Sequence, residues 1–198
     1  MQEDDGLYAN QAPAENEEEK EENRNQAETL IFAGKVRLLL PQDYRPWSLP
    51  EDVMNNPIFS SQIDLTTIAA DSCFRDQRDK KTTLVGMTTD TDWQKGKLEE
   101  RLGYYHVAFS RSLPLFNDHD MSFRELKSEE ETVPGAFIGQ MRYSFVTPDL
   151  DWFGVFLIFP LDGKETLINM TSTTEDSMHT MFDFQEISDS LAYHNSRL

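Results

Sequence analysis

The segment from Leu150 to Pro160, Leu-Asp-Trp-Phe-Gly-Val-Phe-Leu-Ile-Phe-Pro, restricts what this chain can fold into more than any other. From Trp152 onward it is apolar at both parities, whereas a strand with one wet face alternates. It therefore reads as a central strand covered on both sides. Apolar-rich runs at residues 136–147 and 164–172 flank it across very short turns. Together the three runs predict an antiparallel meander, and the rest of the chain is expected to pack around it.

Upstream, residues 29–33 and 35–40 read as two short strands with a tight hairpin at Ala33-Gly34, ended by Pro41. Residues 42–66 carry Pro46, Pro50 and Pro57 together with Tyr44, Trp47, Leu49, Val53, Met54, Ile58 and Phe59. A stretch that long and irregular with so many apolar side chains reads as a packed cover over the core. Residues 68–74 and 82–89 form a second hairpin. Residues 92–112 follow as a helix, because Leu98, Leu102, Tyr105 and Phe109 recur at helical spacing, with Thr91 or Asp92 as the cap and Pro114 forcing the exit. A strand at residues 121–128 precedes the meander. Thr173-Thr-Glu-Asp-Ser177 then opens a last helix with Phe184, Ile187 and Leu191 on one face. The predicted fold class is α+β, an antiparallel sheet of about eight strands flanked by two main helices.

Charge separates the two ends. Formal net charge is −18, of which the first 28 residues carry −8 through ten acids against Lys20 and Arg24. Those residues hold too little apolar surface to offset the entropy of ordering, so residues 1–28 are expected to be a disordered acidic tail or tether, and residues 29–198 a single domain. The remaining −10 argues against nucleic acid or an anionic membrane as a direct partner. Thirteen Phe, six Tyr and three Trp supply enough bulk for a packed core. The lone Cys73 excludes an intramolecular disulfide and reads as a small buried hydrophobe. No run approaches the length of a membrane-spanning helix.

Catalytic signatures are missing. The sequence has no nucleophile elbow, phosphate loop or dinucleotide fingerprint, and His106, His119, His179 and His194 are scattered. Asp118-His119-Asp120 is the densest cluster, but a polar turn between helix and strand contains such residues routinely, so no metal or other cofactor is expected. Gly86, Gly139 and Gly154 stand singly within strands, where glycine marks a bulge or close packing. Aromatic side chains are more informative. Phe137, Met141, Tyr143, Trp152 and Phe156 crowd two adjacent strands, and core packing competes with a concave surface that receives an apolar segment of another protein. Gln140, Arg142 and Ser144 fall on the opposite parity and would line the other face with donors.

Three local patterns carry a family likeness. Gly34-Lys-Val-Arg-Leu-Leu-Leu-Pro41, Thr82-Thr-Leu-Val-Gly-Met-Thr-Thr-Asp90 before a Leu-rich helix, and Leu167-Ile-Asn-Met-Thr171 before the Phe184/Ile187/Leu191 helix resemble the opening, middle and closing elements of the DcrB-related family. The resemblance spans about residues 30–192 and implies a PsbP-like fold with no catalytic residues. Its members are envelope lipoproteins and cytosolic chaperones of type VI secretion, the latter shielding transmembrane segments of an effector as a homodimer. The tail and cover here are longer than that pattern. The expectation is a non-enzymatic, chaperone- or adaptor-like domain that binds an apolar segment of a partner, with Phe137, Met141, Tyr143, Trp152 and Phe156 as the contact set. Two alternatives stand beside it: a tethered envelope lipoprotein domain, and an acidic immunity protein or inhibitor against a basic toxin. With Met1 as the native start the expected compartment is the cytoplasm. A preceding leader and lipid-site cysteine would instead make it a periplasm-facing lipoprotein.

Overall fold

Strands dominate the computed structural model, which describes residues 26–47, 68–94, 97–128 and 132–194. The order is β1 (Gln26–Ile31), β2 (Val36–Pro41), β3 (Tyr44–Pro46), β4 (Ile68–Asp76), β5 (Thr83–Asp92), α1 (Leu98–Ser112), β6 (Asn117–Ser128), β7 (Thr132–Val146), β8 (Asp151–Leu161), β9 (Lys164–Thr173), α2 (Ser177–Ser190) and β10 (Ala192–Tyr193). They form one sheet in the order β1-β2-β10-β6-β7-β8-β9-β5-β4-β3. All pairings are antiparallel except β10 with β6, where two residues lie parallel and join the β1–β2 hairpin to the rest. The α+β architecture agrees with the sequence expectation.

β8 lies between β7 and β9, and from Gly154 to Leu161 it is buried. Its two faces feed two separate cores. Val155, Leu157 and Phe159 pack with Phe184 and Ile187 of α2, with Leu191 just after it, and with the β1–β2 hairpin. Phe156 and Ile158 pack on the other side with Leu102 and Phe109 of α1 and with Met141, Tyr143 and Phe145 of β7. A strand sandwiched in this way has no polar face to alternate with, which is the pattern its sequence carries.

Several boundaries differ from expectation. Gln26, Ala27 and Glu28, assigned to the acidic tail, pair with Pro41, Leu40 and Leu39. Among the described residues the sheet has ten strands, two beyond the eight or so expected, because the short β3 and β10 are stabilised by their neighbours rather than by their own composition. α1 starts at Leu98 with Lys97 at its N-cap and no side-chain capping bond. Thr91 and Asp92, the expected caps, belong to β5, where Asp92 pairs with Lys164 and accepts a 2.6 Å hydrogen bond from its ammonium group. β6 starts at Asn117, so Asp118-His119-Asp120 lies in a strand with a bulge and not in a turn. The predicted tail before Gln26 and most of the predicted cover, residues 48–66, lie outside the described residues.

α1 is fastened to the sheet by a buried polar contact as well as by its apolar stripe. Glu165 of β9, 1% exposed, accepts hydrogen bonds from Arg101 Nε at 2.6 Å and Nη2 at 3.0 Å, and another from the Tyr105 hydroxyl. Hydrogen bonding to Glu165 pushes the Arg101 pKa further up, and burial raises that of Tyr105. Gly154 and Gly86 mark close packing: a Cβ on Gly154 would lie 2.4 Å from Tyr143 Cζ, and one on Gly86 2.7 Å from Ser72 Cβ.

Candidate functional site

A short 3-10 turn at Thr174–Asp176 leads from β9 into α2, which lies over the sheet face bearing Val155 and Leu157. α2 carries two apolar stripes rather than one. Phe184 and Ile187 point into the core and are buried. Met178, Met181 and Phe182 do not, and remain 69%, 51% and 59% exposed. With Gln185 they recur at i, i+3, i+4 and i+7, so they form a continuous second stripe. Between this stripe and the sheet runs a groove of about 800 Å³. Phe153, Val155 and the three exposed α2 side chains form its apolar walls, while His119, Asp120, Gln140, Arg142, Ser144 and Gln185 supply polar atoms.

The polar atoms are mostly committed to holding the groove in shape. Arg142 Nη2 donates to Gln185 Oε1, and Gln185 Nε2 donates to Asp189 Oδ2 at 2.8 Å. Ser188 Oγ donates to Gln140 Oε1 at 2.7 Å, and Arg124 Nη2 donates to the Ser188 carbonyl. Burial holds the Arg124 pKa below the usual guanidinium range, with nearby Asp189 opposing the shift. His119 Nε2 and Ser144 Oγ are 2.8 Å apart across β6 and β7. A second clamp holds the middle of the helix, where buried Asp183 accepts from Arg78 Nη2 at 2.8 Å and Arg78 also grips Asp76. These contacts tie α2 to β6, β7 and the β4–β5 turn from Asp183 onward. The Met178–Phe182 turn stands at the groove with its apolar surface open.

The exposed methionines give the groove an adaptable apolar wall. Methionine is flexible and polarisable, and so adapts to irregular apolar surfaces. Among the described residues no group of three His, Cys, Asp or Glu side chains is placed to hold a metal. The Asp118-His119-Asp120 cluster is divided by the sheet. Asp118 Oδ1 sits 3.3 Å from His106 Nε2 of α1, whereas His119 and Asp120 line the groove on the α2 side.

The expected contact set lands elsewhere. Met141, Tyr143 and Phe156 are 0–2% exposed and packed beneath α1, so they are core and not a free surface. Phe109 of α1 seals them, with ring centroids 5.2 Å from both Tyr143 and Phe156. Trp152 is half-buried and stacks on Phe145 at 5.9 Å. Of the five, only Phe137 is exposed, at 40%, opposite Glu125 of β6. By contrast, Gln140, Arg142 and Ser144 do line the open face, as their parity implied. Met178, Met181 and Phe182 were missed. Reading α2 all the way round its helical wheel would have found them as a second apolar stripe.

No family model matches the sequence, and no curated protein matches it. Solved structures do. Cyanobacterial PsbP (CyanoP) from Synechocystis sp. PCC 6803 aligns with a TM-score of 0.54 at 10% identity, over 86% of this chain and 93% of its own. The chain therefore has a PsbP-like fold. A Pseudomonas aeruginosa protein of unknown function, PA94, aligns with a TM-score of 0.44 at 10% identity, over 84% of this chain and 95% of its own. LpqN of Mycobacterium tuberculosis, involved in cell envelope biogenesis, aligns with a TM-score of 0.41 at 14% identity, over 85% and 90%. Among the described residues no helix is long and apolar enough to cross a membrane.

Proposed function

We propose that this chain is a non-enzymatic protein-binding domain, chaperone- or adaptor-like, whose docking surface is the groove between α2 and strands β6–β8. One observation carries the reading. Met178, Met181 and Phe182 each leave more than half of their surface exposed, side by side, on a helix already anchored by another face. Clustered apolar exposure of this kind marks interaction sites, and its cost in water is removed when a partner covers it. The likeness to DcrB-related proteins in residues 34–41, 82–90 and 167–171 agrees with such a role. The buried aromatics beneath α1 then serve as the rigid support of the sheet.

Affinity capture tests this with the full chain and its Phe182→Asp variant as baits in host lysate. The expected result is a protein with an apolar segment that wild type retains through high salt and the variant loses, since apolar contact is little screened. Equal retention by both baits, or release of every retained protein at moderate salt, would overturn the proposal. The second outcome would favour charge-driven binding of a basic partner.

A further inference from the structure

We infer that the element seated in the groove is about two turns of an amphipathic helix bearing a basic side chain that meets Asp120. This rests on the groove being a docking surface, and adds what kind of segment fits it.

Backbone chemistry comes first. The groove floor is built on β7 and β8, each paired on both sides, by β6 and β8 and by β7 and β9. Their N–H and C=O groups are used within the sheet, so an incoming strand cannot add to it there. A segment buried against side chains alone must satisfy its own backbone, and a helix does so. The facing surface agrees, because Met178, Met181, Phe182 and Gln185 present the i, i+3, i+4, i+7 ridge that packs against another helix.

Size sets the length. A helix about 10 Å across with a pitch of about 5.4 Å fills roughly 420 Å³ per turn. The groove, at about 800 Å³, thus holds about two turns. A membrane-spanning helix of about 20 residues is roughly 30 Å long and needs well over twice that space. The groove therefore contacts about two turns of the helix it holds and serves as an anchor point for a short amphipathic stretch.

Charge sets the polar handle. Two formal charges line the groove, the Arg142 guanidinium, held in place by its hydrogen bond to Gln185, and the exposed Asp120 carboxylate opposite it in the β6–β7 register. The chain as a whole carries −18. A Lys or Arg at the Asp120 end of the partner helix complements that carboxylate and the net charge of the chain.

Fluorescence anisotropy with the full chain tests this. The probe is a short labelled peptide with Leu at i, i+3, i+4 and i+7 and Lys elsewhere. Its controls are a peptide of identical composition with the helical period scrambled, and one with Glu replacing Lys. The periodic Leu/Lys peptide is expected to bind about tenfold or more tightly than either control. Phe182→Asp should weaken it about tenfold or more, and Asp120→Asn about three- to fivefold. Equal binding of the scrambled peptide would reduce the effect to general charge attraction and overturn the helix. Equal binding of the Leu/Glu peptide would overturn the basic contact. If Phe182→Asp abolishes capture from lysate yet leaves peptide binding unchanged, the docking surface stands and this inference falls. If neither depends on Phe182, both fall.

Discussion

Replacing Gly154 by alanine adds a single methyl group, yet the two effects of that change oppose each other. A strand glycine replaced by alanine should stabilise by about 0.5–1 kcal/mol, because the unfolded chain loses freedom. At this position the new Cβ would lie 2.4 Å from Tyr143 Cζ and 2.5 Å from its hydroxyl oxygen. Tyr143 has nowhere to retreat. It is 0% exposed, Phe109 packs against its ring, and its hydroxyl donates to Asn169 Oδ1 at 2.8 Å. Overpacking costs about 1–3 kcal/mol, and displacing the buried hydroxyl from Asn169 adds about 1–3 kcal/mol. The net expectation is about 2–4 kcal/mol of destabilisation. With a urea slope of about 2 kcal/mol/M, the unfolding midpoint should fall by about 1–2 M. Tyr143→Leu in the same chain should remove most of the penalty from Gly154→Ala, because the shorter side chain vacates the contact. A Gly154→Ala midpoint within about 0.2 M of wild type, or a penalty unchanged in the Tyr143→Leu background, would refute the packing argument.

Other perturbations address the anchor of α1, the buried thiol and the division between core and surface. Glu165→Gln leaves the partly exposed Arg101 without its counter-charge and should cost about 1–3 kcal/mol, read as a lowered midpoint in urea. Burial pushes the Cys73 thiol up to about 12, against the opposing hydrogen bond from the Gly86 backbone. The folded state therefore keeps a proton that the unfolded chain begins to release near pH 8.5. The associated stability is intact below that pH and falls by about 1.4 kcal/mol per unit between about pH 9 and 12. Between pH 9 and 10, urea midpoints of Cys73→Ala should decline less steeply than those of wild type; parallel declines would contradict the shift. Phe182→Asp should change stability by no more than about 0.5 kcal/mol, as at an exposed site, while Tyr143→Asp should prevent folding by burying an unpaired charge. Circular dichroism of both variants checks this contrast.

Much of the fold was legible because β8 could be nothing but central. Its apolar residues at both parities required cover on two faces, and α1 and α2 supply it. The stripes Leu98-Leu102-Tyr105-Phe109 and Phe184-Ile187-Leu191 identified which helix faces do so. What sequence could not show was decided by pairing partners distant in the chain. Ala192–Tyr193 is a strand because Val36 and Arg37 lie on one side and Lys127 and Ser128 on the other. Thr91 and Asp92 look like helix caps, but Lys164 draws Asp92 into the sheet. The candidate site was half legible. The parity of Gln140, Arg142 and Ser144 separated the polar-lined face from the aromatic one, yet aromatic density suggested the wrong face as open. Which face a helix seals depends on where it docks, and Phe109 docks on Tyr143 and Phe156.

The central claim is that partners meet the groove beside α2 and not the sheet beneath α1. The most direct measurement places a photo-crosslinking amino acid at Phe182 in the groove, and separately at Tyr104, exposed at 57% on α1. Each full-length variant is irradiated in the host. A discrete crosslinked protein from position 182 and none from position 104 is the predicted result. Crosslinking to the same protein from position 104, with position 182 silent, would contradict the account and move the docking surface to the α1 side.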